Sequence, residues 1–353
     1  MTRSSARPFL RPWRAQGGAM IRPPASILLA LALFVAVLLI APLIGSSHVS
    51  LARAAASGFD VARSPDAAIL LVARLPRVLL AALVGGSLAL CGAVFQAMLR
   101  NALATPFTLG VSAGGALGAV LAIKIGVTGV IWGIGGLPAA AFAGAILTVA
   151  AVWWLARSNG RLPANVLLLS GITINLFLSS VILFIHYLAD FAESYQMVRW
   201  LMGGLDIVDI RVVWRVLPFV VLGAGALLWR ARDYNVLSLG DEAAAALGVD
   251  VAALQRLTFL AASLLVGAVV SAAGPIGFVG LIVPHLVRLI SGPDHRLVLP
   301  ISFLFGSSFL VACDTVARTL IAPAELPVGV ITAVCGGPFF LWLLHRRREE
   351  LER

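Results

Sequence analysis

Long apolar runs separated by short polar segments dominate the chain. With ends uncertain by several residues, they cover about 26–45, 69–98, 107–126, 130–156, 164–188, 212–230, 252–274, 276–291, 298–321 and 327–345. A helix of about 20 apolar residues crosses the hydrocarbon core of a bilayer. The pattern therefore predicts an all-α polytopic protein with ten transmembrane helices, and a single membrane domain from 26 to 345.

Proline and glycine interrupt two of these runs, from Pro275 to Pro284 and from Pro323 to Pro338. Non-helical backbone at membrane depth is tolerated only inside the protein or beside water. These breaks therefore indicate a packed interior or a pathway. Gly110, Gly114 and Gly118 recur every four residues, a spacing that favours close packing between membrane helices.

Composition supports this interpretation. Hydrophobic residues make up 60% of the chain and charged residues 12%, against about 25% charged in a soluble domain. A soluble enzyme, a disordered chain and a nucleic-acid-binding module are therefore excluded. The net charge is +10, and the basic residues are scattered over short loops between the apolar runs. This distribution predicts contact with membrane lipid and not with nucleic acid.

The basic residues also predict the orientation. With ten crossings, about 17 of them lie on the side of the N-terminus and about nine on the other side. Both termini are therefore expected in the cytoplasm, with residues 1–25 as a basic leader and residues 346–353 as a basic tail. A cleaved signal peptide is the alternative, but the run that begins at Ile27 exceeds a signal core of about 7–15 residues.

Motifs for chemistry are missing from the sequence. It contains no phosphate-binding P-loop, no H-E-x-x-H and no paired-carboxylate motif. The five histidines form no i, i+4 pair, and the three dispersed cysteines are interpreted as packing residues. No catalytic residue, metal site or cofactor is therefore expected. Asp314, an acid within an apolar run, has Arg318 one turn later, either as an ion pair or as part of a proton relay.

A polar loop at about 233–250 joins the sixth and seventh predicted helices on the cytoplasmic side. It is Ala-rich enough to form a short helix, which Ser238 or Asp241 could cap and Gly248 could end in a left-handed conformation. Within it, Glu242-Ala243-Ala244 followed by Gly248 matches the E-A-A-x-x-x-G element with which ABC-transporter membrane subunits engage their ATPase. An ordinary surface helix is the alternative interpretation.

Several longer motifs resemble one family. They are Arg74-Leu75-Pro76-Arg77, Gly85-Gly86-Ser87, Leu109-Gly110-Val111-Ser112-Ala113-Gly114, Gly280-Leu281-Ile282-Val283-Pro284-His285 and Glu325-Leu326-Pro327-Val328-Gly329. The chain is identified from about 27 to 345 as similar to the FecCD or BtuC-like permeases of binding-protein-dependent ABC importers. It departs from them at Asn101-Ala102-Leu103-Ala104, where the family usually has a proline in place of Ala102.

The resemblance implies ten helices per subunit and a bacterial inner-membrane location. It also implies a second permease subunit (a copy or a paralogue), cytoplasmic ABC ATPase subunits, and a periplasmic or lipid-anchored binding protein. A ferric siderophore is the expected cargo, and haem and vitamin B12 are the alternatives. The sequence gives little support to two rival functions. An ion-coupled secondary transporter would require an inverted repeat or a chain of carboxylates, and a membrane enzyme would require a nucleophile–base cluster. The sequence shows none of these features.

The resemblance also suggests roles for particular residues. Arg74, Arg77 and Arg318 match positions that receive acidic residues of the binding protein, with anchoring at lipid headgroups as the alternative. The fifth predicted helix borders the translocation path in similar permeases. Its candidate path residues, which could equally well bond to neighbouring helices, are Ser170, Gly171, Thr173 and Asn175.

Overall fold

The computed structural model describes residues 23–127, 129–131, 134–157, 162–205 and 209–352, which are almost entirely helical. The first helices are α1 (Pro23–Ile40), α2 (Leu51–Ala56), α3 (Pro65–Ala68), α4 (Leu75–Met98), α5 (Val111–Ile125), α6 (Gly136–Ala156), α7 (Ala164–Tyr187) and α8 (Phe191–Leu201). The remaining ones are α9 (Ile210–Trp229), α10 (Ala231–Leu237), α11 (Asp241–Ala246), α12 (Val251–Ala273), α13 (Val279–Ser291), α14 (His295–Thr319) and α15 (Val328–Glu352). A π-helix (Ile69–Arg74) leads into α4, and β1 (Val130–Ile131) pairs antiparallel with β2 (Ile134–Gly135).

Each of the ten predicted spans contains one apolar helix of the structure. In the described part of the chain, seven helical segments are long and apolar enough to cross a membrane, and α5, α13 and the Val328–Trp342 part of α15 are shorter apolar helices. One boundary was wrong. The span predicted at 130–156 becomes helical only at Gly136, because the residues before it form the β1–β2 hairpin.

Helix α4 forms the centre of the bundle. Of the most apolar 18 residues in the helical segment Pro65–Met98, which contains α4, 89% are buried inside the protein. The corresponding share is 22% for α1 and for α7. Helices α9, α12, α13 and α14 pack around α4. Its position follows from its small residues, because glycine and alanine allow neighbouring backbones to approach. A Cβ on Gly280 of α13, for example, would lie 2.7 Å from the carbonyl oxygen of Leu88 in α4.

The predicted glycine stripe is confirmed for two of its three members. Gly114 and Gly118 face α6, and a Cβ on Gly114 would lie 2.6 Å from the carbonyl oxygen of Gly144. Gly110 has a different role, because it precedes α5 with a left-handed φ of 79° and forms the turn into that helix.

The predicted break near Pro275 is real. Backbone from Gly274 to Phe278 separates α12 from α13 and is not helical. It packs inside the protein, where the N–H of Gly204 donates to the carbonyl of Ala273 at 2.9 Å. Phe278, the last residue of this segment, adopts a left-handed φ of 67°. Pro284 and Pro338 lie inside α13 and α15, so they do not end those helices.

Alternation of the ten long helices brings the connections to two ends of the bundle. One end, here called the arginine end, holds segments 41–74 and 320–327 together with α8. The other, the coupling end, holds segments 99–110 and 230–250 together with α10 and α11. The candidate functional residues fall mainly at these two ends.

Candidate functional site: a coupling loop, an arginine cluster and an exposed helix

At the coupling end, the predicted loop helix exists as α11, and Glu242, Ala243 and Ala244 lie within it. Asp241 and Glu242 occupy its first turn, where acidic side chains interact favourably with the helix dipole. Glu242 is exposed, whereas Ala244 is fully buried and fixes α11 to the body of the protein. Helix α11 therefore has one face on the membrane domain and one face available to another protein.

The C-terminus of α11 ends as the sequence predicts. Gly248 adopts a left-handed φ of 87°, and its N–H donates to the carbonyl of Ala245 at 3.0 Å. The N–H of Val249 donates to the carbonyl of Ala244 at 3.0 Å, which completes a Schellman motif. Gly248 thus stops α11 and turns the chain toward α12.

The start of α11 differs from the prediction. Neither Ser238 nor Asp241 is the N-cap: that position belongs to Gly240, which has a φ of 113° and no capping side chain. Ser238 instead donates its hydroxyl to the carbonyl of Asn235 at 2.6 Å, as the C-cap of α10. Asp241 binds Arg100, with 3.1 Å between carboxylate and guanidinium.

The coupling loop is bonded to α12, to the N-cap of α14 and to the turn after α4. The Arg100–Asp241 ion pair joins α11 to the turn after α4. In α10, the buried Tyr234 hydroxyl lies 2.7 Å from Thr258 of α12. Asn235 donates to the carboxylate of Asp294, the N-cap of α14, at 2.7 Å. A displacement of α10 and α11 would therefore be transmitted to these helices at the coupling end.

The carboxylate of Asp294 is tuned by this connection. Burial would raise its pKa, but hydrogen bonds from Asn235 and from the backbone N–H of Arg296 outweigh that effect and lower the pKa. Asp294 therefore stays ionised at neutral pH and remains an acceptor for the α10 amide.

At the arginine end, Arg74 is buried and engaged with the chain that follows α1. Its Nη1 donates to the carbonyl oxygens of Pro42 at 2.9 Å and Leu43 at 3.2 Å, and its Nη2 donates to Ser47. Arginine suits this position because its five N–H donors can satisfy several carbonyls at once. Arg74 thus holds the segment after α1 against the start of α4.

Arg77 and Arg318 share a buried carboxylate. Asp314 is fully buried; its Oδ1 lies 2.9 Å from Nη2 of Arg77, and its Oδ2 lies 3.2 Å from Nε of Arg318. The other side of the Arg77 guanidinium binds Glu325 at 2.6 Å. These four side chains, named here the arginine cluster, join α4, α14 and the loop before α15.

The cluster decides between the two interpretations of Asp314. Within the described residues its partners are the two arginines, so the structure supports the ion pair and shows no relay of acids around it.

The arginine cluster also changes what docking of a binding protein requires. The three candidate docking arginines, Arg74, Arg77 and Arg318, are only 4–6% exposed and are bonded internally. In this conformation none of them therefore presents a free guanidinium to an outside carboxylate. Docking through them stays a prediction.

The four path candidates of α7 do not share one environment. Thr173 is exposed, Ser170 and Asn175 are half-buried, and Gly171 is buried. A Cβ on Gly171 would lie 2.6 Å from the carbonyl oxygen of Thr108. Gly171 therefore packs closely against the turn before α5 in this conformation. The place of these four residues on the translocation path stays a prediction.

Helix α8 is a feature that the hydropathy pattern missed. Asp190 and Glu193 form a capping box, with the carboxylate of Asp190 accepting from the Glu193 N–H at 2.8 Å. Glu193 also binds Lys124 of α5 at 2.7 Å, and this hydrogen bond, followed by one from the Asp190 backbone, lowers its pKa. The D-x-x-E spacing at 190–193 could have revealed the start of this helix from the sequence.

No group of three or more His, Cys, Asp or Glu is placed to hold a metal ion in the ranges that the structure describes. The described residues thus provide charge pairing at the arginine end and a short helix with one exposed face at the coupling end. In the described part of the chain, ten apolar helices packed in this way define a polytopic membrane protein.

Comparison with known proteins gives the family. The model of the FecCD transport family matches residues 31–346, and the chain belongs to that family. Its members are membrane components of ABC importers and not enzymes. A solved structure described as an inward-facing conformation of a metal-chelate type ABC transporter superimposes with a TM-score of 0.80 at 31% identity, covering 92% of this chain and 99% of that one.

Three curated relatives illustrate the range of cargo names. The cobalamin import permease BtuC of Halobacterium salinarum is 49% identical over 274 residues, which is 78% of this chain and 72% of the relative. The Fe(3+)-citrate import permease YfmD of Bacillus subtilis is 40% identical over 86% of this chain and 90% of its own. The hemin transport permease HmuU of Yersinia pestis is 40% identical over 78% of this chain and 83% of its own.

Proposed function

We propose that this chain is the membrane-spanning permease subunit of a binding-protein-dependent ABC importer in the bacterial inner membrane. It works beside a second permease subunit, either a copy or a paralogue, and has both termini in the cytoplasm. A separate ABC ATPase supplies the energy, and a ferric siderophore is the cargo. Membership of the FecCD family supports the proposal that the chain is an importer permease. The observation that supports ATP-driven coupling is the set of bonds between the coupling loop and the membrane helices.

Helix α11 is the proposed contact for the ATPase. It offers the exposed side chains of Glu242 and Leu247, and a groove beside it is lined by Pro163, Asp250 and Gln255. Because α10 and α11 are bonded to α12, α14 and the turn after α4, closure of the ATPase dimer would pull on the ends of these helices. The pathway would then change which side it opens to.

The ATPase contact is tested with Glu242→Arg in the full complex. Reversal of this exposed charge should lower ATPase retention on purification and lower ATP-driven uptake together. Asp60→Arg at the arginine end is the control for a general reversal of surface charge, because Asp60 is a half-exposed acid in the loop between α2 and α3. If Glu242→Arg leaves retention and uptake at the wild-type level while the complex assembles, the proposed contact is wrong.

Docking of a binding protein is proposed at the arginine cluster, through exchange of one carboxylate. Glu325 is the exposed member of the cluster, with 37% of its side chain accessible, and it occupies the outward side of Arg77. An acidic residue of the binding protein could replace Glu325 there without disturbing the buried Asp314. Electrostatic pairing of this kind mainly sets orientation and the rate of encounter.

Replacement of Glu325 tests this exchange. Glu325→Gln removes the competing charge and keeps the shape, so association of the binding protein at low salt should become faster, with the gain lost at high salt. Asp60→Asn serves as the control for a general change in surface charge. An association rate that is unchanged or lower in Glu325→Gln, with normal folding, would exclude the exchange.

Cobalamin is the second candidate cargo, because the Halobacterium relative at 49% identity carries that name. The two cargoes are separated by titrating the partner binding protein with ferric siderophores, haem and cobalamin, followed by uptake of the bound compound in proteoliposomes. Tight binding of cobalamin alone would replace the siderophore proposal. Tight binding of an unrelated solute would exclude both.

A further inference from the structure

Helix α9 has one buried face and one exposed face. Its buried face, which includes Val213, Val216 and Val220, packs against α12 and α4. A Cβ on Gly223 would lie 3.2 Å from the Cβ of Leu265 in α12. The opposite face repeats at the same helical spacing, and its exposed residues include Arg211, Trp214, Arg215, Leu222 and Trp229. The described part of the chain thus leaves one complete face of a membrane-length helix uncovered.

Tryptophan marks both ends of this exposed face. Helix α9 has 20 residues and is therefore about 30 Å long, which matches the hydrocarbon core of a bilayer. Trp214 lies in its second turn and is 64% exposed, and Trp229 is its last residue and is 84% exposed. From Val216 to Leu228 the sequence has no polar side chain. Because tryptophan favours both interfaces of a membrane, the exposed face fits lipid along its length, with the start of α9 at the arginine end.

Two arginines lie beside Trp214 on the exposed face. Arg211 and Arg215 are four residues apart, so they are neighbours on one side of the helix. The side chain of Arg211 is 78% exposed, and its Nε lies 3.9 Å from Asp209, a loose contact. Asp209 is occupied as the N-cap of α9, where it accepts from the backbone N–H of Arg211 at 2.9 Å. Within the described ranges, Arg215 is exposed and forms no ion pair or hydrogen bond through its side chain.

The depth of Arg215 explains why it needs an anion. It is the sixth residue of α9, about 8 Å along the helix axis from Ile210. Helical side chains tilt toward the N-terminus, so a long arginine at this level reaches back toward the headgroup layer at the arginine end. A charge without a partner is costly at membrane depth, whereas a phosphate accepts two parallel N–H bonds from a guanidinium. The other arginines at this end, Arg74, Arg77 and Arg318, obtain their partners inside the protein.

We propose that Arg215, together with Arg211 and Trp214, binds the phosphate headgroup of an anionic phospholipid at the arginine end of α9. Arg215 donates to the phosphate oxygens. Arg211 adds attraction, which Asp209 partly offsets, and Trp214 packs against the glycerol and the upper acyl chains. A zwitterionic lipid binds more weakly because its headgroup has no net charge to attract the two arginines. This site does not depend on the transport function proposed above.

Lipid binding is measured on the full-length protein by native mass spectrometry. Phosphatidylglycerol or phosphatidylcholine is added in steps to the protein in a neutral detergent, and the dissociation constant of the first bound lipid is determined for each. The wild type should bind phosphatidylglycerol more tightly. Arg215→Gln should raise the dissociation constant for phosphatidylglycerol about fivefold, as expected for one basic charge at a membrane surface, and leave that for phosphatidylcholine unchanged. Arg215→Lys, which keeps the charge, should retain most of the preference.

Arg63→Gln is the matched control, because Arg63 is an exposed arginine at the same end but lies in the loop between α2 and α3 and pairs with Asp60. It should leave both dissociation constants unchanged. Equal affinity of the wild type for the two lipids would overturn the proposal, and so would an equal loss in Arg63→Gln and Arg215→Gln. Displacement of phosphatidylglycerol by millimolar inorganic phosphate would show a site for a soluble anion instead. A wild-type dimer that Arg215→Gln separates would show that a second copy covers this face.

Discussion

Replacement of Asp314 by asparagine is the sharpest test of the arginine cluster. The carboxylate is fully buried between two guanidinium groups, at 2.9 Å from Arg77 and 3.2 Å from Arg318. The contact with Arg77 includes hydrogen bonds through Nε, whereas Nε of Arg318 has no hydrogen-bond partner, so the second contact is coulombic. Asp314→Asn removes the charge and preserves the shape. It leaves two buried guanidinium charges with a single carboxylate, Glu325, although Arg318 keeps its hydrogen bonds to Ala41 and Thr315.

The size of the effect follows from the geometry. With about 4 Å between the centres of charge, each ion pair contributes about 4 kcal/mol at an effective dielectric constant of about 20. The cost of desolvating the carboxylate, several kcal/mol, offsets part of that gain. Because the arginines stay buried after the replacement, we expect Asp314→Asn to lower the free energy of unfolding by about 3–5 kcal/mol.

The free energy of unfolding is measured in mixed micelles by denaturant titration, with the α-helical signal as the readout. Asp60→Asn is the matched control, since Asp60 pairs with Arg63 at 3.2 Å but 81% of the Arg63 side chain is exposed. An exposed pair of this type contributes about 1 kcal/mol or less. A loss for Asp314→Asn as small as that of the control would refute the assignment of a strong buried cluster.

A double variant separates charge from packing. Arg77→Met together with Asp314→Leu removes one buried charge of each sign and restores apolar volume. Replacing a buried ion pair by apolar residues is often neutral or stabilising, so the double variant should be more stable than Asp314→Asn alone. If it is less stable, the arginine–carboxylate hydrogen bonds contribute more than the coulombic argument allows.

Three further predictions concern other parts of the bundle. Gly114→Val should separate α5 from α6 and cost about 1–3 kcal/mol by overpacking, whereas Gly225→Ala, which meets nothing within 4 Å, should cost much less in the same unfolding assay. Arg100→Ala removes the ion pair to Asp241 and should lower uptake per ATP hydrolysed while the melting temperature changes little. A fall in uptake that only accompanies a comparable loss of stability would contradict a coupling role. Because the Glu193 pKa is lowered in the folded state, its stabilising contribution is present above an unfolded pKa of about 4.3 and is lost as the pH falls through the folded pKa. Glu193→Gln should weaken the dependence of the melting temperature on pH in that acid range. A pH dependence equal to that of the wild type would show that Glu193 is not its source.

The positions of the long helices were predictable from the sequence, for a physical reason. Lipid provides no hydrogen-bond partner for the backbone, so a long apolar segment must be helical whatever its neighbours are. All ten apolar runs accordingly coincide with helices, including the short α13 between two breaks. The E-A-A-x-x-x-G element was also legible, since Gly248 ends α11 through local backbone geometry.

Helix α8 and the caps of α11 show where local patterns gave too little. Helix α8 is amphipathic and only 11 residues long, so a hydropathy window does not detect it, although its capping box is visible in the sequence. Gly240 displaced the two side-chain caps predicted for α11 because its φ of 113° suits the turn that precedes this helix. Both features depend on short-range geometry that composition does not encode.

The sequence by itself determined that the chain is a membrane protein, where its helices lie, and which family motifs it carries, because these properties depend on residues close together along the chain. Only the tertiary structure decided the state of the arginines. Arg77 and Asp314 are separated by 237 positions, and their contact arises from the packing of α4 against α14. Burial and pairing between distant segments are properties of that packing. All three arginines that were expected at the surface are therefore buried: Arg77 and Arg318 lie in the arginine cluster, and Arg74 binds the segment after α1.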